Sequence, residues 1–197
     1  MTTRGTVMAM KPGERKTQIL QTLATMLEQP QGEKITTAAL AAKVGVSEAA
    51  LYRHFASKAQ MFEALIEFIE ATVFSLVNQI AQTERDGRAQ VHQIVAMLLN
   101  FAEKNPGMVR VLIGDALVNE DARLQTRINQ LLDRVEASLK QALQLAAAAS
   151  GAPATQSGAY ANALVAFVVG RWQLFAKSGF KRSPSEHWAE QAALFRV

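Results

Sequence analysis

Apolar positions along this chain recur at helical spacing. Ile19, Leu20, Leu23, Met26 and Leu27 fall three and four residues apart from about residue 14, and the pattern stops at Gln29-Pro30-Gln31-Gly32. A short helix is expected from Thr37 to Gly45 with Thr36 as its N-cap. A second is expected over 47–55, capped by Ser47, and a long one from Lys58 to about Gln82, capped by Ser57. The period resumes with Val91, Ile94, Val95, Leu98 and Leu99, then breaks at Asn105-Pro106-Gly107. A helix over 108–118 is expected next, then a long amphipathic one over about 121–147 with the stripe Leu124, Ile128, Leu131, Leu132, Val135, Leu139 and Leu143. The small residues AAAASGAPATQSG (146–158) read as a linker. An apolar helix over 159–178 follows, and Ser183-Pro184 opens a short terminal one through Leu194. Residues 1–12 lack any period and read as a flexible arm. The plan is all-α: arm 1–12, a three-helix head 13–57, and a helical body 58–197. There is no internal repeat.

Composition narrows what such a chain can do. Apolar residues make up 49% of the sequence, enough for a sizeable core, while cysteine is absent. Disulfide frameworks, thiol nucleophiles and thiolate metal sites are therefore excluded. The N-terminal residues show no apolar run ahead of a small-residue cleavage site. Charges or Gln interrupt the apolar stretches before the ~18 residues of a membrane span. The expectation is a cytoplasmic protein without a membrane partner. The net charge of +4 is unevenly placed: residues 1–60 carry Arg4, Lys11, Arg15, Lys16, Lys34, Lys43, Arg53 and Lys58 against four Glu, and the remainder balances. A basic head on a neutral body suits a polyanion, although charge alone also fits an ordinary basic surface.

The segment 36–55 has the logic of a helix-turn-helix. Ala38, Leu40, Ala41 and Val44 can line the inner face of the first helix, and small Ala41 permits close approach. Gly45 supplies a left-handed turn residue, and Val46 fills the angle between the helices. Leu51 and Phe55 bury the second helix, leaving Ser47, Glu48, Ala49, Tyr52 and Arg53 on its opposite face with His54 beside them. A helix fits the major groove and its N-terminal residues reach base edges, so Ser47, Glu48 and Ala49 are candidates for base reading. Thr36, Thr37 and Arg53 join them as DNA-binding candidates, while Tyr52, His54 and Lys58 suit phosphates. An αα-hairpin inside any helical protein shares the Gly turn; the basic head and the paired caps together favour the helix-turn-helix.

The run TTAALAAKVGVSEAALYRHFASKAQMFEALIEFIE (36–70) resembles the TetR-type DNA-binding domain. Together with FAEKNPGMVRVLIGDAL (101–117) and DARLQTRINQLLDRVEASL (121–139), it is most similar to the nucleoid occlusion factors of that superfamily. The resemblance implies a homodimer joined through the last two long helices and bound to palindromic double-stranded DNA on the nucleoid. It also implies that the DNA-bound dimer antagonises the tubulin-like division GTPase FtsZ. The positions matching the family's FtsZ-facing surface are Phe68, Lys104 (Arg in the family) and Asn105. Leu76 and Asn100 depart, standing where the family has Arg and Gly. Phe68 could equally be core.

The body leaves two further questions open. The helix over 159–178 is apolar on more than one face through Val165, Val168, Val169, Trp172 and Phe175, with Gly170 available for close approach. Cover from both sides is needed, either by a second subunit, with Val165, Val169 and Trp172 at the interface, or by the rest of a monomer. The competing function is a TetR-type repressor responsive to a small ligand, whose pocket would draw on Gln93, Asn100, Asn129 or Gln130. These show no clustering, so no small-molecule ligand and no cofactor is expected. His92 and His187 lack partners at triad or ligand spacing, and no enzymatic activity is expected.

Overall fold

The computed structural model describes residues 13–29, 35–151 and 153–195. The expected arm 1–12 and most of the 29–32 break lie outside them. The described residues form nine α-helices and no strand: α1 (Glu14–Leu27), α2 (Thr37–Val44), α3 (Glu48–Tyr52), α4 (Lys58–Thr83), α5 (Gly87–Lys104), α6 (Pro106–Leu112), α7 (Ala122–Ser150), α8 (Ser157–Lys177) and α9 (Trp188–Leu194). A 3-10 turn, Asp115–Leu117, links α6 to α7, and another, Ala154–Gln156, links α7 to α8. The all-α plan holds, with α1–α3 in the head and α4–α9 in the body.

Side-chain caps decide where α2, α3 and α4 start. The Ala39 N–H donates to Thr36 Oγ1 at 3.1 Å, that of Ala50 to Ser47 Oγ at 3.2 Å, and that of Gln60 to Ser57 Oγ at 3.2 Å. Such a cap is worth about 1 kcal/mol. Gln60 reciprocates, its Oε1 accepting from the Ala56 N–H at 2.9 Å. The end of α2 is equally determined. Gly45 adopts φ 79°, and the N–H groups of Val46 and Gly45 donate to the carbonyls of Ala41 and Ala42. This paired arrangement needs a left-handed residue that glycine adopts without strain.

Several boundaries differ from expectation. The helical period of α3 ends at Tyr52, with Arg53 and His54 in a turn; Phe55 lies beyond the helix, although its N–H still reaches the Leu51 carbonyl and its ring is buried. Ala38 is exposed, so Leu40, Ala41 and Val44 alone line the inner face of α2. The expected helix 108–118 is two shorter pieces, because Gly114 takes φ 78° between them. The linker expected over 146–158 shrinks, since alanines favour helix: α7 runs through Ser150 and stops at Gly151, φ 66°. The terminal helix starts at Trp188 rather than Ser183, after a turn in which His187 takes φ 63°.

By length and composition α4 could cross a membrane, contrary to the reading of interrupted apolar stretches. Its buried residues Met61, Phe62, Leu65, Ile66, Ile69, Val73, Phe74 and Val77 nevertheless occupy one stripe against the core. Its flank is tied to α7 by ion pairs, Glu63 to Arg123 (2.9 Å) and Glu70 to Arg127 (2.8 Å), with Arg134 stacked 3.7 Å over the Phe74 ring.

Two close backbone approaches fix the arrangement. A Cβ on Gly107 would stand 1.9 Å from the Ala24 carbonyl oxygen, so α6 lies directly on α1 and joins head to body. A Cβ on Gly87 would stand 2.3 Å from the Ala142 carbonyl oxygen, which brings the start of α5 onto α7. In the body, Trp172 is enclosed by its own subunit, 1% exposed, with Nε1 donating to the Leu98 carbonyl at 3.2 Å. The segment 178–187 is pinned by Arg171, which donates to the carbonyls of Ser183, Pro184 and Glu186, and by Glu103, which accepts from the hydroxyls of Ser183 and Ser185 and from the Ser185 N–H. Burial pushes the Glu103 carboxyl up, but the hydrogen bonds from Ser183 and Ser185 outweigh it and hold its pKa below the usual range.

Candidate nucleic-acid interface

Helices α2 and α3 meet at the Gly45 turn and bury Leu40, Ala41, Val44 and Leu51 beneath them, which turns a polar surface outward. Thr36, Ser47, Glu48, Ala49, Tyr52, Arg53 and His54 are all exposed on it, with Thr37 half-buried between the helices. Three of these side chains form a chain of contacts. The Thr37 hydroxyl donates to Glu48 Oε2 at 2.8 Å, and the Tyr52 hydroxyl lies 3.4 Å from Thr37 Oγ1. The start of α2 is thereby tied to both ends of α3. This bracing limits the rotation of a five-residue helix too short to be rigid alone.

The Tyr52 ring is 44% exposed although its neighbours in the turn bury Leu51 and Phe55. An aromatic body with a hydroxyl tip in that position can lie along a sugar-phosphate backbone and still donate to a phosphate. From α1, Lys16 reaches over the Phe55 ring, 5.6 Å from its centroid. Sequence reading did not single out Lys16; its spacing within α1 says nothing of Phe55, which lies 39 residues further on.

Lys58 differs from the other candidates. At the first residue of α4, its ammonium is paired with Glu120 at 2.5 Å and lies 5.7 Å from the Phe62 ring centroid. It is half-buried, and its partner comes from the turn ahead of α7. No local pattern links positions 58 and 120, so Glu120 was missed in the sequence.

The partner-facing candidates lie elsewhere, where α4 runs back to back with α5. Phe68 is 51% exposed, which removes the core alternative for it. Lys104 is exposed at the last turn of α5. Asn105 follows it as a cap, its Nδ2 donating to the Phe101 carbonyl at 2.8 Å. Leu76 and Asn100 are exposed too. The dimerisation candidates separate: Val165 and Val169 are half-buried, whereas Trp172 is spent on the core of its own subunit, which corrects its assignment to the interface. Gly170 has open space beside it, so it serves no close approach within the subunit. The four polar residues considered for a ligand pocket do not converge. Asn100, Asn129 and Gln130 face solvent, and Gln93 donates to Glu84 at the α4–α5 turn.

Comparison with known proteins agrees with this layout. Residues 24–65 match the family described as bacterial regulatory proteins, tetR family, and residues 85–197 match the SlmA-like tetracyclin repressor-like C-terminal domain. The fold is shared with a TetR-like transcriptional regulator from Rhodococcus (TM-score 0.74, 17% identity, covering 94% of this chain and 97% of that one). It is shared also with a TetR transcription regulator from Haloarcula marismortui (TM-score 0.76, 16% identity, 93% and 97%). In sequence the chain is 51% identical to the nucleoid occlusion factor SlmA of Marinomonas over 93% of its length and 94% of the relative's. It is 50% identical to that of Alteromonas mediterranea over 95% and 97%. Likeness at this level through head and body alike means that the chain belongs to the SlmA family of nucleoid occlusion factors, within the TetR superfamily of DNA-binding regulators.

Proposed function

We propose that this protein is a nucleoid occlusion factor that binds palindromic double-stranded DNA as a homodimer and, once bound, antagonises FtsZ assembly. It keeps division septa off the chromosome and acts on the nucleoid in the cytoplasm, by binding rather than by catalysis. The observation that carries the reading is the half-identity to SlmA proteins over both regions, joined to an exposed polar face on α2 and α3. In this reading residues 13–57 are the DNA-binding unit and 58–197 the dimerisation and partner-binding unit. Ser47, Glu48 and Ala49 meet base edges in the major groove, with Arg53 beside them. Thr36, Thr37, Tyr52, His54 and Lys58 hold the backbone and fix the register.

A two-fold dimer supplies two such heads to two half-sites. Its contact follows the outward stripe of α8, where Ala159, Ala163, Ala166, Gly170 and the 42%-exposed Leu174 are small or apolar and Val165 and Val169 flank them. FtsZ is met at the α4–α5 corner through Phe68, Lys104 and Asn105. An aromatic ring half in solvent is a good anchor for a short peptide.

A pelleting assay of FtsZ polymers tests the reading. The expected outcome is less pelleted FtsZ in the presence of the protein together with its DNA site than with either alone. An effect of equal size without DNA, or none with it, would refute the antagonist role while leaving DNA binding intact.

A further inference from the structure

Lys58 is placed where an isolated cation is unwelcome. As the first residue of α4 it faces the positive end of a 26-residue helix, a position that favours anions. An anion is in fact present in the free protein. Glu120 binds the ammonium at 2.5 Å, and the two side chains are only 21% and 12% exposed. Glu120 sits in a well-held turn: its N–H donates to the Leu117 carbonyl at 3.0 Å, Asn119 takes φ 65°, and Asp121 caps α7 immediately afterwards. The carboxylate is thus presented from the turn ahead of α7 to the first residue of α4 on a fixed backbone. Among the described DNA-binding candidates, Lys58 is the one cation held in an ion pair by a carboxylate.

We propose that Glu120 is an internal competitor for Lys58, occupying in the free protein the ammonium that a DNA phosphate takes in the complex. The proposal rests on the reading of Lys58 as a phosphate contact. A phosphate drawn to Lys58 meets the negative charge of Glu120 at short range, so the ammonium must turn from one anion to the other. The free energy of the internal pair is subtracted from DNA affinity at every sequence alike. Glu120 is therefore a positioning residue that sets the strength of backbone binding without touching DNA. The exchange also breaks the ionic tie between the start of α4 and segment 106–121, whose other end rests on α1 at Gly107.

The test is a double-mutant cycle in the full-length protein, using Glu120→Gln, Lys58→Ala and the two combined. Binding to a 30-bp duplex of arbitrary sequence is measured by fluorescence anisotropy across a series of KCl concentrations. Glu120→Gln is expected to tighten binding about three- to fivefold when Lys58 is present and to change nothing when it is Ala, the size of a partly shielded ion pair. Glu120→Asp, which keeps the charge, is expected to bind within about twofold of the parent. Lys58→Ala alone should weaken binding and lower the salt slope by about one.

Three results would overturn the proposal: weaker binding by Glu120→Gln, which would make Glu120 a buttress aiming Lys58 at DNA; equal tightening in both backgrounds, which is a long-range charge effect; or no change. If Lys58→Ala leaves affinity and salt slope untouched, the phosphate reading itself fails, a separate outcome. Thermal unfolding of each variant without DNA separates these effects from loss of fold.

Discussion

The head and the body of this protein are made of the same kind of helix, yet they build their surfaces over different distances along the chain. In the head, the polar face is assembled from residues 36–54, and the bonds that shape it are short in sequence: Thr36 to Ala39, Ser47 to Ala50, Thr37 to Glu48 and Tyr52 to Thr37. In the body, the contacts that set the shape join Glu70 to Arg127, Leu98 to Trp172 and Glu103 to Ser183 and Ser185. A surface built locally can be presented by any body that holds three helices together. A surface built from distant pieces is specific to one arrangement of helices. The fold of both regions is shared across TetR regulators, but in sequence the head matches the broad tetR family while the body matches the SlmA-like domain.

The strongest test of this division concerns the two residues of α8 that sequence reading placed together. Trp172→Ala removes a fully enclosed indole and its hydrogen bond to the Leu98 carbonyl, and should cost about 3–5 kcal/mol of stability. Val169→Glu, on the half-buried side, should leave the subunit fold largely in place and shift the protein toward monomer. Sedimentation equilibrium with denaturant unfolding separates the two. A stable, folded monomer from Trp172→Ala would return that residue to the interface.

That pair also shows what could and could not be read from sequence. The caps at Thr36, Ser47 and Ser57, the Gly45 turn and the burial of Leu51 follow from rules that act over four or five residues, and each was legible. The apolar character of α8 was legible too, but not which of its faces met the subunit's own core, because Val168 and Val169 differ only in what other helices bring to them. Ala38 was misplaced for a similar reason: its exposure depends on what other helices bring to it and not on its place in the apolar period. Glu120 and Lys16 were invisible because their partners are 62 and 39 residues away. The Asn105-Pro106-Gly107 break was seen as punctuation, yet Gly107 is also the point where the two regions touch.

Gly107→Ala therefore probes the seam. Its Cβ would stand 1.9 Å from a backbone oxygen of α1, with no flexible side chain to give way, so helix α6 or α1 must shift. A loss of about 1–3 kcal/mol is expected from such overpacking. DNA affinity should fall more than dimerisation, since α1 supports the head while the proposed dimer stripe lies on α8. If the variant dimerises poorly and still binds DNA normally per dimer, the seam is not where the two regions are coupled.

The smallest effect expected is one of pH, and it belongs to the body alone. Glu103 holds segment 178–187 with an ionised carboxylate whose pKa is lowered in the folded protein. The folded state therefore binds fewer protons than the unfolded chain in the acid range, and stability from this group is present above the ordinary glutamate pKa. It is lost as pH falls through the lowered folded value. Glu103→Gln should be less stable than the parent near neutrality and approach it in acid, as followed by thermal unfolding between about pH 7 and pH 3. Because Glu103 precedes Lys104 and Asn105 at the proposed partner corner, the same titration should leave DNA binding by the head unchanged at pH values where the head is folded. A parallel decline of DNA affinity in Glu103→Gln at neutral pH would show that the corner and the head are coupled more tightly than the separate origins of their contacts suggest.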